Sequence, residues 1–412
     1  MLDSFERFDM KAVPIRQKLR PLLWTLCIPA TWAHNAKIKK INMEGIKPPY
    51  ILFQNHNAFL DFKVLTRAIF PHRCNYVIAI DGFIKREKLL RNVGGICKRK
   101  FTKDITLIRQ LKKVIENKDI AVIYPEARYS LCGTTAILPD SLAKLCKLFK
   151  VPVVVLLTHG HHVNSPFYHL ESRKVKGIEA ELTCIATKEE VETLSIEELN
   201  DRINKALQYD DYKWQKDKNI HIKYKKKAEG LDKVLYQCPH CKTEYEMKGE
   251  GNILKCNHCN KEWEVTKLSE LKALNGETEF THIPDWYEWE RNNVKEEVQS
   301  KTYKFDSKVR IDALPNAKGY INLGEGHLVH DMNGFKLTGS YNGEDFEVTI
   351  PKEETYGVHI EYEYLGKFGD CVDLNTLKDT FYVYPPRESK FSVTKISLAT
   401  EELYKDYWKN KK

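Results

Sequence analysis

No long apolar run occurs in these 412 residues. The longest, 151–157, has Pro152 inside it and falls far short of the roughly 20 residues that a membrane-spanning helix needs. The N-terminus carries no signal-peptide pattern, and there is no internal repeat and no low-complexity tract. A Gly-x-Ser-x-Gly nucleophile elbow is also missing, so Ser130 and Cys132 have no context that would make them hydrolase nucleophiles. The cysteines lack a pairing rhythm: seven of the eleven are scattered and four are clustered. These absences argue against a polytopic membrane protein, a secreted disulfide scaffold and a repeat protein, and they fit a reducing cytosol.

What is present is a folded composition, 42% hydrophobic and 30% charged. The length implies about two to four domains. Charge is unevenly spread. Residues 1–150 hold 28 Lys/Arg against 12 Asp/Glu, residues 151–230 hold 13 of each, and residues 231–412 hold 25 against 32. A basic first third implies an anionic partner, and the acidic remainder argues against one continuous nucleic-acid surface.

Residues 1–47 read as a basic amphipathic membrane-surface segment. Ile15, Leu19, Leu22, Leu23 and Cys27 recur at helical spacing among Arg16, Lys18 and Arg20, with Trp24 and Trp32 nearby. Packing on the domain's own core is the competing reading. Residues 48–228 alternate strands (50–54, 76–80, 120–124, 151–157) with helices (59–70, 102–117, 139–149, 196–207), the last capped by Ser195. This order predicts an α/β domain with a largely parallel sheet. The lysine-rich stretch 213–227 reads as a solvated helix face or linker, with an anionic membrane as the other reading. A cysteine module follows at 229–268, then a helical linker at 269–300, built on helices 268–274 and 284–298. A β-rich domain at 301–412 has seven short strands (the last 391–396) and a closing helix at 400–408.

The most informative stretch is Gln54-Asn55-His56-Asn57-Ala58-Phe59-Leu60-Asp61. It follows a strand and opens a helix, which puts His56 at the carboxyl edge of a sheet, where open α/β folds place their sites. His56 and Asp61 would not share a helical face, so they meet only if His56 lies in the turn and Asp61 reaches back from the first helical turn. A carboxylate on one imidazole nitrogen leaves the other free to take a proton. Three further blocks follow in order: Gly94-Gly95-Ile96-Cys97-Lys98-Arg99-Lys100, then Tyr124-Pro125-Glu126-Ala127-Arg128-Tyr129-Ser130, then Val151-Pro152-Val153-Val154-Val155-Leu156. His159, His161 and His162 come next and read either as metal ligands or as a polar rim.

The four blocks together resemble the glycerolipid acyltransferase superfamily, specifically its lysophosphatidate (1-acylglycerol-3-phosphate) acyltransferase branch, over roughly residues 30–208. The resemblance implies His56 as general base for a glycerol hydroxyl and Asp61 as its orienter. It implies that Arg99 and Arg128 hold the acceptor phosphate and that Glu126 orders the acceptor pocket. Two departures stand in the third block: Ala127 replaces the family's Gly, and Arg128 sits one position early. The implied reaction moves an acyl chain from acyl-CoA or acyl carrier protein to a lysophospholipid, with no catalytic cofactor. The implied location is cytoplasmic, peripheral on the inner face of a membrane with anionic lipids, with no nucleic-acid partner. The alternative is a non-catalytic lipid-binding or scaffold protein that keeps the fold.

Cys238-Pro239-His240-Cys241 and Cys256-Asn257-His258-Cys259 are two Cys-x-x-Cys knuckles, which predict a closed four-thiolate site for structural zinc. They resemble a zinc ribbon. The seven strands and closing helix resemble a pleckstrin-homology or GRAM-like barrel, with a small β-sandwich as the alternative.

Overall fold

Seven strands gather the alternating region into one sheet: β1 (Lys37–Ile41), β2 (Ile51–Gln54), β3 (Cys74–Ala79), β4 (Gly95–Lys98), β5 (Ile120–Ile123), β6 (Val153–His159) and β7 (Glu179–Ala186). In the computed structural model, which describes residues 5–366, 368–409 and 411, their order is β1-β7-β6-β2-β5-β3-β4. All neighbours are parallel except the β6–β7 pair. Every residue of β2 is buried, as a strand covered on both faces requires.

Nine helices complete this unit: α1 (Arg20–Ala33), α2 (Leu60–Ala68), α3 (Glu87–Asn92), α4 (Ile105–Glu116), α5 (Leu142–Phe149), α6 (His161–Asn164), α7 (Lys188–Thr193), α8 (Ile196–Ala206) and α9 (Asp211–Asp217). Leu107, Leu111 and Val114 stripe one face of α4, and Leu199 and Ile203 do so on α8; both stripes join the core around Ile51, Phe53, Val153 and Val155. Helix starts follow from capping chemistry. Asp104 accepts the Thr106 N–H, and Ser195 and Glu198 form a reciprocal capping box at α8.

The topology fixes where a site can form. β2 leads through α2 to β3 on one side of it, and β5 leads through α5 to β6 on the other. The chain therefore parts above the carboxyl ends of the neighbouring strands β2 and β5, which leaves a crevice for side chains there.

This α/β unit comprises Asp9–Lys98 and Asp104–Ile222. Most of the segment expected to stand apart at 1–47 is built into it. β1 pairs with β7, Arg16 bonds Asp119 at 2.8 Å, and Arg67 of α2 donates to Thr31 Oγ1 and the Ala36 carbonyl, both at 3.1 Å. A charged strand such as β1 is tolerated because it forms the sheet's edge.

The second unit consists of the residues up to Phe8, Arg99–Lys103 and Lys223–Lys412. After the short helix α10 (Leu231–Val234), a four-stranded antiparallel sheet holds β8 (Met247–Glu250), β9 (Ile253–Cys256), β10 (Glu262–Val265) and β11 (Leu271–Ala273). Trp263 of β10 packs edge-on against Trp286 of α11 (Ile283–Gln299), 5.0 Å between ring centres. An antiparallel sheet follows, with β12 (Phe305–Leu314), β13 (Ile321–Asp331), β14 (Gly334–Tyr341), β15 (Glu344–Pro351), β16 (His359–Glu361), β17 (Cys371–Asn375) and β18 (Thr380–Tyr384) in the order β15-β14-β13-β12-β18-β17-β16. Helix α12 (Val393–Lys409) closes the chain.

Two expectations are overturned here. The helix expected at 268–274 is strand β11, which pairs with β10. Leu268, Leu271 and Leu274 mimic a helical stripe, but pairing with β10 satisfies the backbone of this stretch instead. The strand expected at 391–396 is instead the start of α12. Ser392 Oγ accepts the Thr394 N–H at 3.1 Å, a capping contact that begins the helix well before residue 400.

Candidate active site and metal centre

Asp61 sits one residue inside α2 and is completely buried. Its Oδ2 accepts the backbone N–H groups of Asn57 and Ala58 at 2.6 and 3.0 Å, so the carboxylate itself shapes the turn that joins β2 to α2. The same oxygen lies 3.0 Å from His56 Nδ1. The reach-back geometry that the spacing demands is therefore present. With Nδ1–H donated to a carboxylate, Nε2 is left as the basic nitrogen. His56 keeps 24% side-chain exposure against none for Asp61.

The other carboxylate oxygen is also occupied. Oδ1 takes a hydrogen bond from His161 Nδ1 and stands 3.4 Å from Thr158 Oγ1. His161 is fully buried and enters from the segment after β6. Burial alone would raise the Asp61 carboxyl; the bonds from His161 and His56 overcome it and hold the group well below the usual carboxylate range. Strand β2 is tied to β6 at the same level. Asn55 donates to the Thr158 carbonyl at 2.9 Å, and its Oδ1 accepts the Thr158 N–H and hydroxyl at 2.9 and 3.0 Å.

Glu126 follows β5 and is buried. Its two oxygens accept the backbone N–H groups of His56 at 3.2 Å and Ala136 at 3.1 Å. Burial pushes its carboxyl up to about 7, against the two backbone bonds and the charge of Arg128. Glu126 thus fixes the loop that presents His56. Arg128 is buried, and its charge acts on Glu126. Ala127 stands in the left-handed region at φ 55°, the conformation for which glycine is the natural choice. The backbone of the third block therefore keeps the shape that glycine would allow, at the strain an alanine brings.

The sequence assigns no role in the site to Tyr124 or Tyr129 and does not link His161 to Asp61. The His56 ring lies between Tyr124 and Tyr129, with ring centres 4.2 and 4.4 Å away. His161 was read only as a metal ligand or a rim residue. Its place two residues past the end of β6 gives no sign that it shares Asp61 with His56.

Arg99 is the predicted residue that the structure does not bring to this site. It belongs to the second unit, where it is buried. Nη1 donates to the Leu314 carbonyl at 2.9 Å and Thr380 Oγ1 at 2.7 Å, and Nη2 donates to the Pro315 carbonyl at 2.9 Å. A guanidinium engaged this way ties the carbonyls of Leu314 and Pro315 to the Thr380 hydroxyl within the second unit.

In the second unit the four clustered cysteines converge. Cys238 and Cys259 sulfurs are 3.8 Å apart, as are those of Cys241 and Cys256, and all four lie within 4.8 Å of one another. A tetrahedron with metal–sulfur bonds of ~2.3 Å has an edge of about 3.8 Å, so the set fits one metal ion. The knuckles repeat one another. Cys238 and Cys256 each donate N–H five residues on, to Thr243 and Lys261, and each accepts an N–H four residues on, from Lys242 and Asn260. Lys242 and Asn260 are both left-handed. His240 is exposed and faces Glu279 at 3.3 Å, away from the sulfurs.

Two outcomes are expected. His161→Ala, which leaves one oxygen of a fully buried carboxylate without its imidazole, lowers unfolding free energy by about 2–4 kcal/mol in denaturant titration. His161→Asn, which keeps a donor, costs distinctly less. Cys256→Ser releases the metal held by the four cysteines, read by elemental analysis, and increases amide exchange across 238–265, since a structural metal contributes folding energy.

No family model matches the chain, and no curated protein matches it. Among solved structures it is similar to the crystal structure of the 1-acyl-sn-glycerophosphate (LPA) acyltransferase PlsC from Thermotoga maritima, at 13% identity and a TM-score of 0.38, over 46% of this chain and 76% of that one. A likeness that weak carries no functional argument, so any reading of function must come from the site residues themselves.

Proposed function

We propose that the chain is an O-acyltransferase that moves a fatty acyl group from a thioester carrier to the hydroxyl of a lysophospholipid, with lysophosphatidate as the leading acceptor, in phospholipid synthesis. The observation that carries this is the His56 Nδ1–Asp61 Oδ2 contact of 3.0 Å at the carboxyl end of β2, in the His-x-x-x-x-Asp spacing of the first motif. In this reading His56 Nε2 takes the proton from the acceptor hydroxyl as its oxygen attacks the thioester carbonyl. The carbon–sulfur bond then breaks, and the thiol leaves with the proton returned by His56. Tyr124 and Tyr129 hold the imidazole plane, and Asp61 holds its tautomer. No covalent acyl-enzyme is needed. Arg128 is the guanidinium of the motif that remains in the α/β unit for an acceptor phosphate.

The four-cysteine site is read as structural zinc, since four thiolates leave no open coordination position for catalysis. Seven antiparallel strands followed by a helix support the pleckstrin-homology-like reading of the last part of the chain.

Two observations favour a second reading, a lipid-binding scaffold: Arg99 is engaged with carbonyls, and Ala127 occupies a glycine position. Activity separates the two. The pure protein should transfer acyl groups from acyl-CoA or acyl carrier protein to lysophosphatidate, and His56→Ala should lower that rate by about 10²–10⁴-fold with secondary structure unchanged. Absence of turnover across carriers and lysophospholipids establishes the scaffold.

A bilayer-resident acceptor requires the protein to reach the membrane, yet no described helix is long and apolar enough to cross one. α1 supports peripheral docking, on a different face from the one its spacing indicated. Leu23 and Cys27 are buried, whereas Leu22, Leu26 and Trp32 are exposed, and no charged residue lies between Arg20 and His34. Phe59 and Phe70 of the same unit are exposed as well, with Arg20 and Lys63 beside aromatic rings. Apolar insertion resists salt, and the basic component does not. Flotation with anionic vesicles should therefore weaken but persist at high salt. Leu26→Glu with Trp32→Glu should abolish the persistent part; unchanged flotation transfers the membrane role to the second unit.

A further inference from the structure

The second unit carries a second set of metal-type donors, remote in sequence from the cysteine knuckles. β16 and β17 are antiparallel neighbours whose register places His359 opposite Asp373 and Glu361 opposite Cys371. Side chains two apart on a strand share a face, and directly opposed residues share it too. His359-x-Glu361 and Cys371-x-Asp373 therefore present an imidazole, two carboxylates and a thiol on one face of a two-strand patch.

The side chains converge as that register requires. His359 Nε2 is 2.8 Å from Glu361 Oε1 and 3.8 Å from Asp373 Oδ2. Cys371 Sγ is 3.7 Å from Asp373 Oδ1. One nitrogen and two carboxylate oxygens lie within 4.8 Å of one another. Nitrogen and oxygen donors held ~2.0–2.2 Å from a single tetrahedral ion would stand about 3.3–3.6 Å apart, between the two separations from His359 Nε2. His359, Cys371 and Asp373 are buried, and Glu361 is nearly so.

A purely structural cluster would place these groups in a filled core. Here Asp373 instead lines a cavity of about 240 Å³, together with Asn375, Thr376, Thr349, Thr355 and Lys100. That volume holds an ion's water ligand or a small anion beside the cluster, with Lys100 as a fixed positive charge on the wall. The arrangement is an interior one, open on one side, unlike the closed set of four cysteines.

We propose that His359, Glu361 and Asp373 form a binding site for a divalent transition-metal ion of the zinc class, with its remaining position on the side of Asp373, beside the cavity that this residue lines. An imidazole nitrogen with two carboxylate oxygens favours such an ion over magnesium or calcium, which take all-oxygen shells. This site is independent of the acyltransferase reading and stands or falls separately from it.

Zinc titration of the full chain, with metal content measured by plasma mass spectrometry after dialysis, tests it. Wild type should retain one zinc per chain beyond the ion held by the four cysteines. Glu361→Gln and Asp373→Asn should each lose that extra ion, while the Cys256→Ser, Cys259→Ser double variant keeps it. Cobalt substitution gives a second readout: a second cobalt should titrate in with nitrogen–oxygen ligand-field bands and no added thiolate charge transfer, and Asp373→Asn should lose it. Wild type with only the cysteine-bound ion overturns the site, as does an extra ion that Glu361→Gln leaves in place. If the variants fail to fold, the wild-type stoichiometry and cobalt spectrum decide by themselves.

Discussion

A single buried carboxylate organises the candidate active site. Asp61 has no exposure, yet its two oxygens accept two backbone N–H groups and two imidazoles. Burying a charge without partners is costly, and these donors offset that cost. In doing so they fix everything nearby. The bonds to Asn57 and Ala58 close the turn after β2, the bond to His56 sets its tautomer, and the bond to His161 anchors the segment after β6. Without Asp61 these parts lose their common reference point.

Glu126 works on the same loop from the other side, and the contrast between the two acids is instructive. Asp61 meets imidazoles and stays ionised, whereas Glu126 meets only amide N–H groups and one cation, and burial dominates. Neighbours rather than residue type set the state of each carboxyl. The strand order makes the convergence feasible, because β5, β2 and β6 lie side by side.

Much of this was legible in the sequence. The alternation of apolar strands and striped helices foretold the sheet, the cap residue Ser195 marked α8, and the spacing of His56 and Asp61 required the turn that is observed. Two Cys-x-x-Cys pairs announced their own convergence, since short local loops leave little freedom. What could not be read was contact across long separations. His161 and Asp61 are 100 residues apart, and Arg99 and Thr380 are 281 apart. No local pattern encodes such partners. The β16–β17 cluster is a similar case, because its logic lies in a cross-strand register that the residues only acquire once paired.

The assignment of Arg99–Lys103 to the second unit bears on how the protein is made. The α/β unit has all its own residues once position 222 is synthesised, whereas the five residues between β4 and α4 belong to a unit that is still incomplete. The carbonyls of Leu314 and Pro315 and the hydroxyl of Thr380, which receive the Arg99 guanidinium, emerge from the ribosome only much later. During that interval Arg99 is without the three acceptors that receive it in the finished protein. The nascent chain therefore completes its second unit around a piece delivered early, and a fragment starting at residue 223 lacks the arginine that its first long strand and last short one were shaped to hold.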